Sequence, residues 1–249
     1  MPGHRALLTG VRSLAYPPSG AGIRPPPRGK EDAVFVDEDV RIPLDTGPLD
    51  AHLALPGRNS GVVVFAHGSG SGRHSPRNRS VAGALHDGGL GTVLLDLLTA
   101  EDERRGDFRF DIPLLAGRLA ATVDWLADQP ATRNNPLGLF GASTGAAAAL
   151  VAAAERPAAV HAVVSRGGRP DLAGDALTRV QAPTLLVVGG LDEQVLELNE
   201  AAMSRLGASK HLEIVPGATH LFEEPGALDR VAGLATDWFG RHLAPGGAT

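Results

Sequence analysis

Leu137-Gly138-Leu139-Phe140-Gly141-Ala142-Ser143-Thr144-Gly145-Ala146-Ala147-Ala148-Ala149-Leu150 is the stretch that decides the fold. A short apolar run, Leu137 to Phe140, ends in a serine flanked by glycines and passes directly into an alanine-rich segment reaching Ala154. An apolar run without alternation suits a strand buried on both faces, and alanine is the strongest helix former. The stretch therefore predicts strand, sharp turn and helix. Its turn reads Gly-x-Ser-x-Gly, a pattern that a chain with 32 glycines meets by accident with a probability of about one in five, so the setting carries the weight. A serine on such a turn projects Oγ from the sheet edge, and the helix that follows places positive potential beside a developing oxyanion. Ser143 is the expected nucleophile; the plainer alternative is a serine that merely caps the helix.

Outward from this stretch, similar apolar runs recur at Val62-Val63-Val64-Phe65, Thr92-Val93-Leu94-Leu95, Ala162-Val163-Val164, Thr184-Leu185-Leu186-Val187-Val188 and Leu212-Glu213-Ile214-Val215. Between them lie helical patterns. Ile112, Leu115, Leu119, Val123 and Leu126 share one face, with Asp111 as N-cap and Pro113 in the first turn; Leu228, Val231, Leu234 and Trp238 form the last. Alternating strands and helices predict an α/β fold, a mainly parallel sheet with helices on both faces. Ahead of it, Val34 and Val36, then Leu49, Ala51, Leu53 and Leu55, alternate around Asp45-Thr46-Gly47-Pro48, which predicts antiparallel N-terminal strands. Residues 1–32 are rich in Pro, Gly and Arg without apolar period and read as a disordered tail; residues 33–249 read as one domain.

In a parallel sheet the ligand crevice lies outside the carboxyl ends of the strands. A serine needs a base within hydrogen-bond reach and a carboxylate that orients the base. Asp192 follows the Thr184–Val188 run through Gly189-Gly190-Leu191, and His220 follows the Leu212–Val215 run through Pro216-Gly217-Ala218-Thr219. Both fall on the edge that carries Ser143, in the chain order serine, acid, histidine. Asp192 could also be a helix N-cap, and Glu193 and Asp171 are less well placed rivals. The loop His67-Gly68-Ser69-Gly70-Ser71-Gly72 can turn backbone donors toward the nucleophile, so the N–H groups of Ser69 and Thr144 are the expected oxyanion hole. His67 is expected to brace this loop rather than to transfer protons. The loop lacks the Gly-Lys-Ser/Thr ending of a P-loop.

Composition narrows the classes further. The chain has no cysteine, which excludes a thiol nucleophile, disulfides and thiolate metal sites. A net charge of −5 gives no electrostatic footprint for nucleic acid. No apolar run is long enough to span a bilayer, so no membrane partner and a cytoplasmic location are expected.

Taken together, His67-Gly68-Ser69-Gly70, Arg73-His74-Ser75-Pro76-Arg77-Asn78, the segment around Ser143, Ser165-Arg166-Gly167-Gly168-Arg169-Pro170, Gly189-Gly190-Leu191-Asp192 and Gly217-Ala218-Thr219-His220-Leu221-Phe222 resemble the dienelactone-hydrolase-like α/β-hydrolases. The likeness is greatest to the hydrolase part of bacterial proteins in which this domain is fused to a phosphoribosyltransferase. It extends from about Val34 to Leu243. The resemblance implies an α/β-hydrolase fold, a Ser143–Asp192–His220 triad, hydrolysis of an ester-like bond through an acyl-enzyme, and no metal or organic cofactor. One departure stands out: true dienelactone hydrolases carry a cysteine where this chain has Ser143, which points away from dienelactone itself as substrate.

The expected partner is a small-molecule ester, and a homodimer is left open. Only about twenty residues separate Val164 from Thr184, so no large lid is expected. Arg73, Arg77 and Arg79 are read in the loop beside the oxyanion hole, and Arg166 and Arg169 in a second loop on the same edge. Some of Arg73, Arg77, Arg166 and Arg169 would bind an anionic group of the substrate; the alternative is surface arginines paired with Glu101, Asp102 and Glu103. Thioester or amide cleavage and acyl transfer share this chemistry, and a non-catalytic binding module is the reading from a different class.

Overall fold

The computed structural model of the chain describes residues 36–45, 47–57 and 61–244. The expected tail and Val34 lie outside them. Strands β1 (Val36–Ile42) and β2 (Leu49–Leu55) form the anticipated antiparallel pair. The remaining strands are β3 (Val62–Ala66), β4 (Gly91–Leu95), β5 (Leu137–Ala142), β6 (Val160–Arg166), β7 (Thr184–Gly189) and β8 (Lys210–Val215). All eight make one sheet in the order β1-β2-β4-β3-β5-β6-β7-β8. β2 meets β4 antiparallel, and every pairing from β4 across to β8 is parallel.

The helices are α1 (Pro76–Asp87), α2 (Ala100–Arg105), α3 (Ile112–Asp128), α4 (Thr144–Glu155), α5 (Glu193–Arg205) and α6 (Ala227–His242). Because side chains alternate along a strand, each central strand feeds two cores. Val63, Phe65, Phe140, Val164 and Val187 pack against Val81 and Leu85 of α1 and Val231 and Phe239 of α6. Val62, Val64, Leu139, Val163 and Leu186 face Leu119 and Val123 of α3 and Leu150 of α4 on the other side. α4 lies between sheet, α3 and the 3-10 segment Pro170–Arg179, which explains why its alanines are buried all round. As read from sequence, the Asp111 carboxylate accepts the Leu114 N–H at 3.0 Å and caps α3.

Two details correct the sequence reading. β8 is not a strand buried on both faces: it is the sheet edge, with one neighbouring strand, and Ile214 is 44% exposed. Arg77 and Arg79 are not in a loop; they sit in α1, whose start is set by Ser75 accepting the Asn78 N–H and by Pro76 in the first turn. The connection from β6 to β7 holds only the 3-10 segment, so no large lid is inserted at that point. No helix among the described residues is long and apolar enough to cross a membrane.

Candidate active site

Ser143 sits between β5 and α4 with φ 51° and ψ −121°, a region that costs a non-glycine residue about 1–3 kcal/mol. The strain is held by three backbone hydrogen bonds. The Ser143 N–H donates to the Arg166 carbonyl at 3.2 Å, and the Ser143 carbonyl accepts the N–H groups of Ala146 and Arg169, each at 3.1 Å. Ser143 occupies the N-cap position of α4, yet its side chain makes no capping bond. Oγ is thus left for other chemistry.

Asp192 behaves in the same way. It stands at the N-cap of α5 without a side-chain cap bond, and its Oδ2 lies 2.6 Å from Nδ1 of His220. The carboxylate side chain is 15% exposed and the imidazole 37%. Close approach of their two loops depends on Gly189: a Cβ there would lie 2.4 Å from the Ala218 carbonyl oxygen, while the Leu191 N–H donates to that same carbonyl at 2.9 Å. Of the rival acids, Asp171 holds Arg169 in a two-bond pair at 2.8 and 2.7 Å, and Glu193 merely opens α5. His220 in turn lies over the exit of β6, since a Cβ on Gly167 would be 3.5 Å from its Nδ1. The same exit clamps Ser143. The structure joins Asp192 to His220 directly; Ser143 Oγ forms no hydrogen bond among the described residues, and such contacts commonly tighten only when substrate binds.

The two expected oxyanion donors come together, with a complication that no sequence pattern signals. Thr144 is the first residue of α4, so its N–H has no partner within the helix. The Ser69 N–H donates to the Thr144 hydroxyl at 3.1 Å. His67 takes the bracing role. The Leu97 N–H donates to its Nε2 at 2.9 Å, which fixes the proton on Nδ1, and Nδ1 donates to the Gly68 carbonyl at 2.9 Å. The loop after β3 is thereby tied to the loop after β4.

Burial lowers the His67 pKa below its ordinary 6.5, so the folded protein keeps it neutral while the unfolded chain takes up a proton below 6.5. The unfolded state then binds more protons, and the stability that His67 contributes above that pH is lost as the pH falls below it. His86 and His242, also lowered by burial, act in the same direction. We expect Tm to fall between pH 7 and pH 5, with a smaller fall in His67→Gln; equal slopes in a thermal-melt series would contradict the assignment.

The arginines separate sharply. Arg73 is committed to Asp96, its Nη1 lying 2.6 Å from Oδ2. Arg169 is committed to Asp171, Arg77 reaches Glu223 at 3.0 Å, and Arg79 reaches Nδ1 of His74 at 3.0 Å. The acidic residues after β4 pair elsewhere: Asp102 with Arg118 and Glu103 with Arg109. Arg166 is the exception. It is 8% exposed, and its Nε and Nη1 are buried without a partner. Beside the His67 loop, a pocket of about 540 Å³ is bordered by Asp50, Asp96, Glu101 and Glu103, with Arg41 paired to Asp50. No group of three His, Asp or Glu side chains among the described residues could hold a metal ion.

With this geometry established, comparison with known proteins is direct. A family model, the dienelactone hydrolase family, matches residues 108–241. A dienelactone hydrolase of known structure from Anabaena variabilis is 54% identical, with a TM-score of 0.82 over 84% of this chain and 99% of that one. Two Mycobacterium tuberculosis proteins whose name proposes a phosphoribosyl transferase are 58% identical over 212 residues, 85% of this chain and 48% of theirs. The chain thus spans about half the length of these curated relatives. At 17% identity, Est1E from Butyrivibrio proteoclasticus shares the fold, with a TM-score of 0.69 over 81% of this chain and 97% of that one. The chain belongs to the dienelactone hydrolase family.

Proposed function

We propose that the protein is a serine hydrolase that cleaves a small carboxylic ester through Ser143, His220 and Asp192. The observation that carries this reading is the 2.6 Å contact between Asp192 and His220 Nδ1, made by a carboxylate placed to cap a helix but not capping it. With Nδ1 engaged, Nε2 is the basic nitrogen. It takes the proton of Ser143 Oγ as Oγ bonds to the ester carbonyl carbon, and the carbonyl π electrons move onto oxygen. The Thr144 N–H, at the positive end of α4, stabilises that oxyanion, joined by the Ser69 N–H once the Thr144 hydroxyl turns aside. His220 then returns the proton to the departing alkoxide, leaving an acyl-Ser143. Water, deprotonated by His220, attacks the acyl carbon, and the acid leaves as Oγ recovers its proton. Asp192 stays ionised throughout and stabilises the imidazolium. The lack of a large lid supports a site that opens to solvent, suited to a small substrate that diffuses in.

A fluorophosphonate probe tests the assignment. The wild-type protein should form a covalent adduct on the peptide containing Ser143, and Ser143→Ala should form none. An adduct that persists in Ser143→Ala, or its absence from the wild type alongside inactivity on a panel of p-nitrophenyl esters, would overturn the proposal.

A further inference from the structure

Several of the described arginines that stand partly in solvent have carboxylate partners: Arg41 with Asp50, Arg156 with Asp124, Arg169 with Asp171, Arg205 with Asp175. Arg166, far more buried than these, has none. Removing a guanidinium from water without a counter-charge costs several kcal/mol, so the missing partner calls for an explanation.

Position supplies one. Arg166 ends β6 opposite Ala142, and its carbonyl holds the Ser143 N–H. Val164, two residues earlier, faces α1 and α6; by strand alternation the Arg166 side chain leaves on that same face. α1 carries a second cation, Arg77: burial first, and then the Arg77 charge, lowers the Arg166 pKa to about 10. Arg77 lies in the first turn of α1, where no acidic residue offsets the positive helix end. Its Nε is buried without a partner as well. The one carboxylate that the described ion pairs give the two guanidinium groups is Glu223, which is 64% exposed and three residues beyond His220.

We propose that Arg166, Arg77 and the first turn of α1 form an anion subsite beside Ser143 that takes a phosphate group of the substrate. Two guanidinium groups and a helix N-terminus match a dianion that engages both at once in place of Glu223, whereas a carboxylate would serve Arg166 alone and leave Arg77 with Glu223. The buried Nε and Nη1 of Arg166 are the donors that such an oxyanion would satisfy. Glu223 keeps Arg77 paired while the subsite is empty and gives way when phosphate arrives. The pocket beside the His67 loop, rich in carboxylates, offers no comparable place for an anion.

The use of this subsite in catalysis rests on the serine-hydrolase reading, but its occupancy does not, so the two can fail separately. Inorganic phosphate is titrated calorimetrically into the Ser143→Ala protein, with acetate at matched ionic strength as the comparison. Saturable phosphate binding, weaker acetate binding, about tenfold or greater loss in Arg166→Gln and a gain of about threefold in Glu223→Gln are the expected results. Arg166→Gln should melt no lower than its parent, since it removes an unpaired buried charge. If it nevertheless fails to fold, Arg77→Gln, on the more exposed partner, should still weaken phosphate binding by about fivefold. No saturable phosphate binding, binding indifferent to both arginines, or acetate binding as tight as phosphate would each overturn the proposal. A positive titration together with absent fluorophosphonate labelling would reject Ser143 as nucleophile and leave the subsite standing.

Discussion

Asp192→Asn is expected to lower kcat about ten-thousand-fold while shifting Tm by no more than about 4 °C. The substitution is informative because asparagine caps a helix as well as aspartate does. Were Asp192 important only as the N-cap of α5, the variant would be nearly silent in both measurements. The structure already weighs against that role, as the side chain makes no capping bond and places Oδ2 2.6 Å from His220 Nδ1. An amide there can present its NH₂ to Nδ1, which drives the ring proton to Nε2, the nitrogen that must accept the Ser143 proton. An imidazolium formed during attack would also lose its counter-charge. The loss should therefore fall on kcat and leave fluorophosphonate labelling slowed in proportion. A fall in kcat below tenfold would remove Asp192 from the mechanism.

The features that could be read from sequence share a cause: each is a local pattern. The apolar runs of β3 to β7 stand out because strands buried on both faces cannot tolerate polar interruptions. The loops bearing Ser143, Asp192 and His220 were legible because small turn residues follow those runs immediately. α1 escaped notice for the opposite reason. Its sheet-facing stripe is Asn78, Val81, Ala82 and Leu85, with a polar residue in the first place and arginines at 77 and 79, so its first turn reads as loop. β8 was recognised as a strand but not as an edge, since strand order is a property of the assembled sheet. Charge pairing was the least legible feature. Arg73 finds Asp96 at the end of β4 rather than the acidic run farther on, and nothing local distinguishes Arg166, whose Nε and Nη1 are buried without a partner, from the arginines around it. The engagement of the Ser69 N–H by the Thr144 hydroxyl is equally a product of two distant loops meeting.

Gly145→Ala tests the part of the site that rests on packing alone. A Cβ at this position would lie 2.1 Å from the Ala66 carbonyl oxygen and 2.5 Å from that of His67. Both are backbone atoms at the end of β3, and neither can turn away as a side-chain terminus could. To admit the methyl group, α4 must withdraw from β3 by about 1 Å, which opens a close-packed interface along a helix buried on every side. We expect a loss of about 3–5 kcal/mol, read as a fall in Tm of about 10 °C or more. Gly83→Ala is the matched control. It lies in α1 with nothing within 4 Å of its would-be Cβ, so alanine's better helix propensity should leave Tm unchanged or slightly raised. The contrast separates crowding at the elbow from any general effect of replacing glycine in a helix. Withdrawal of α4 also carries Thr144 away from Ser69 and pulls the Ser143 backbone from its bonds to Arg166 and Arg169, relaxing the positive-φ backbone that presents Oγ. Whatever fraction of Gly145→Ala folds should accordingly label with fluorophosphonate far more slowly than the wild type. A variant that melts within about 3 °C of wild type would show that the β3–α4 contact yields more readily than close-packed backbone allows.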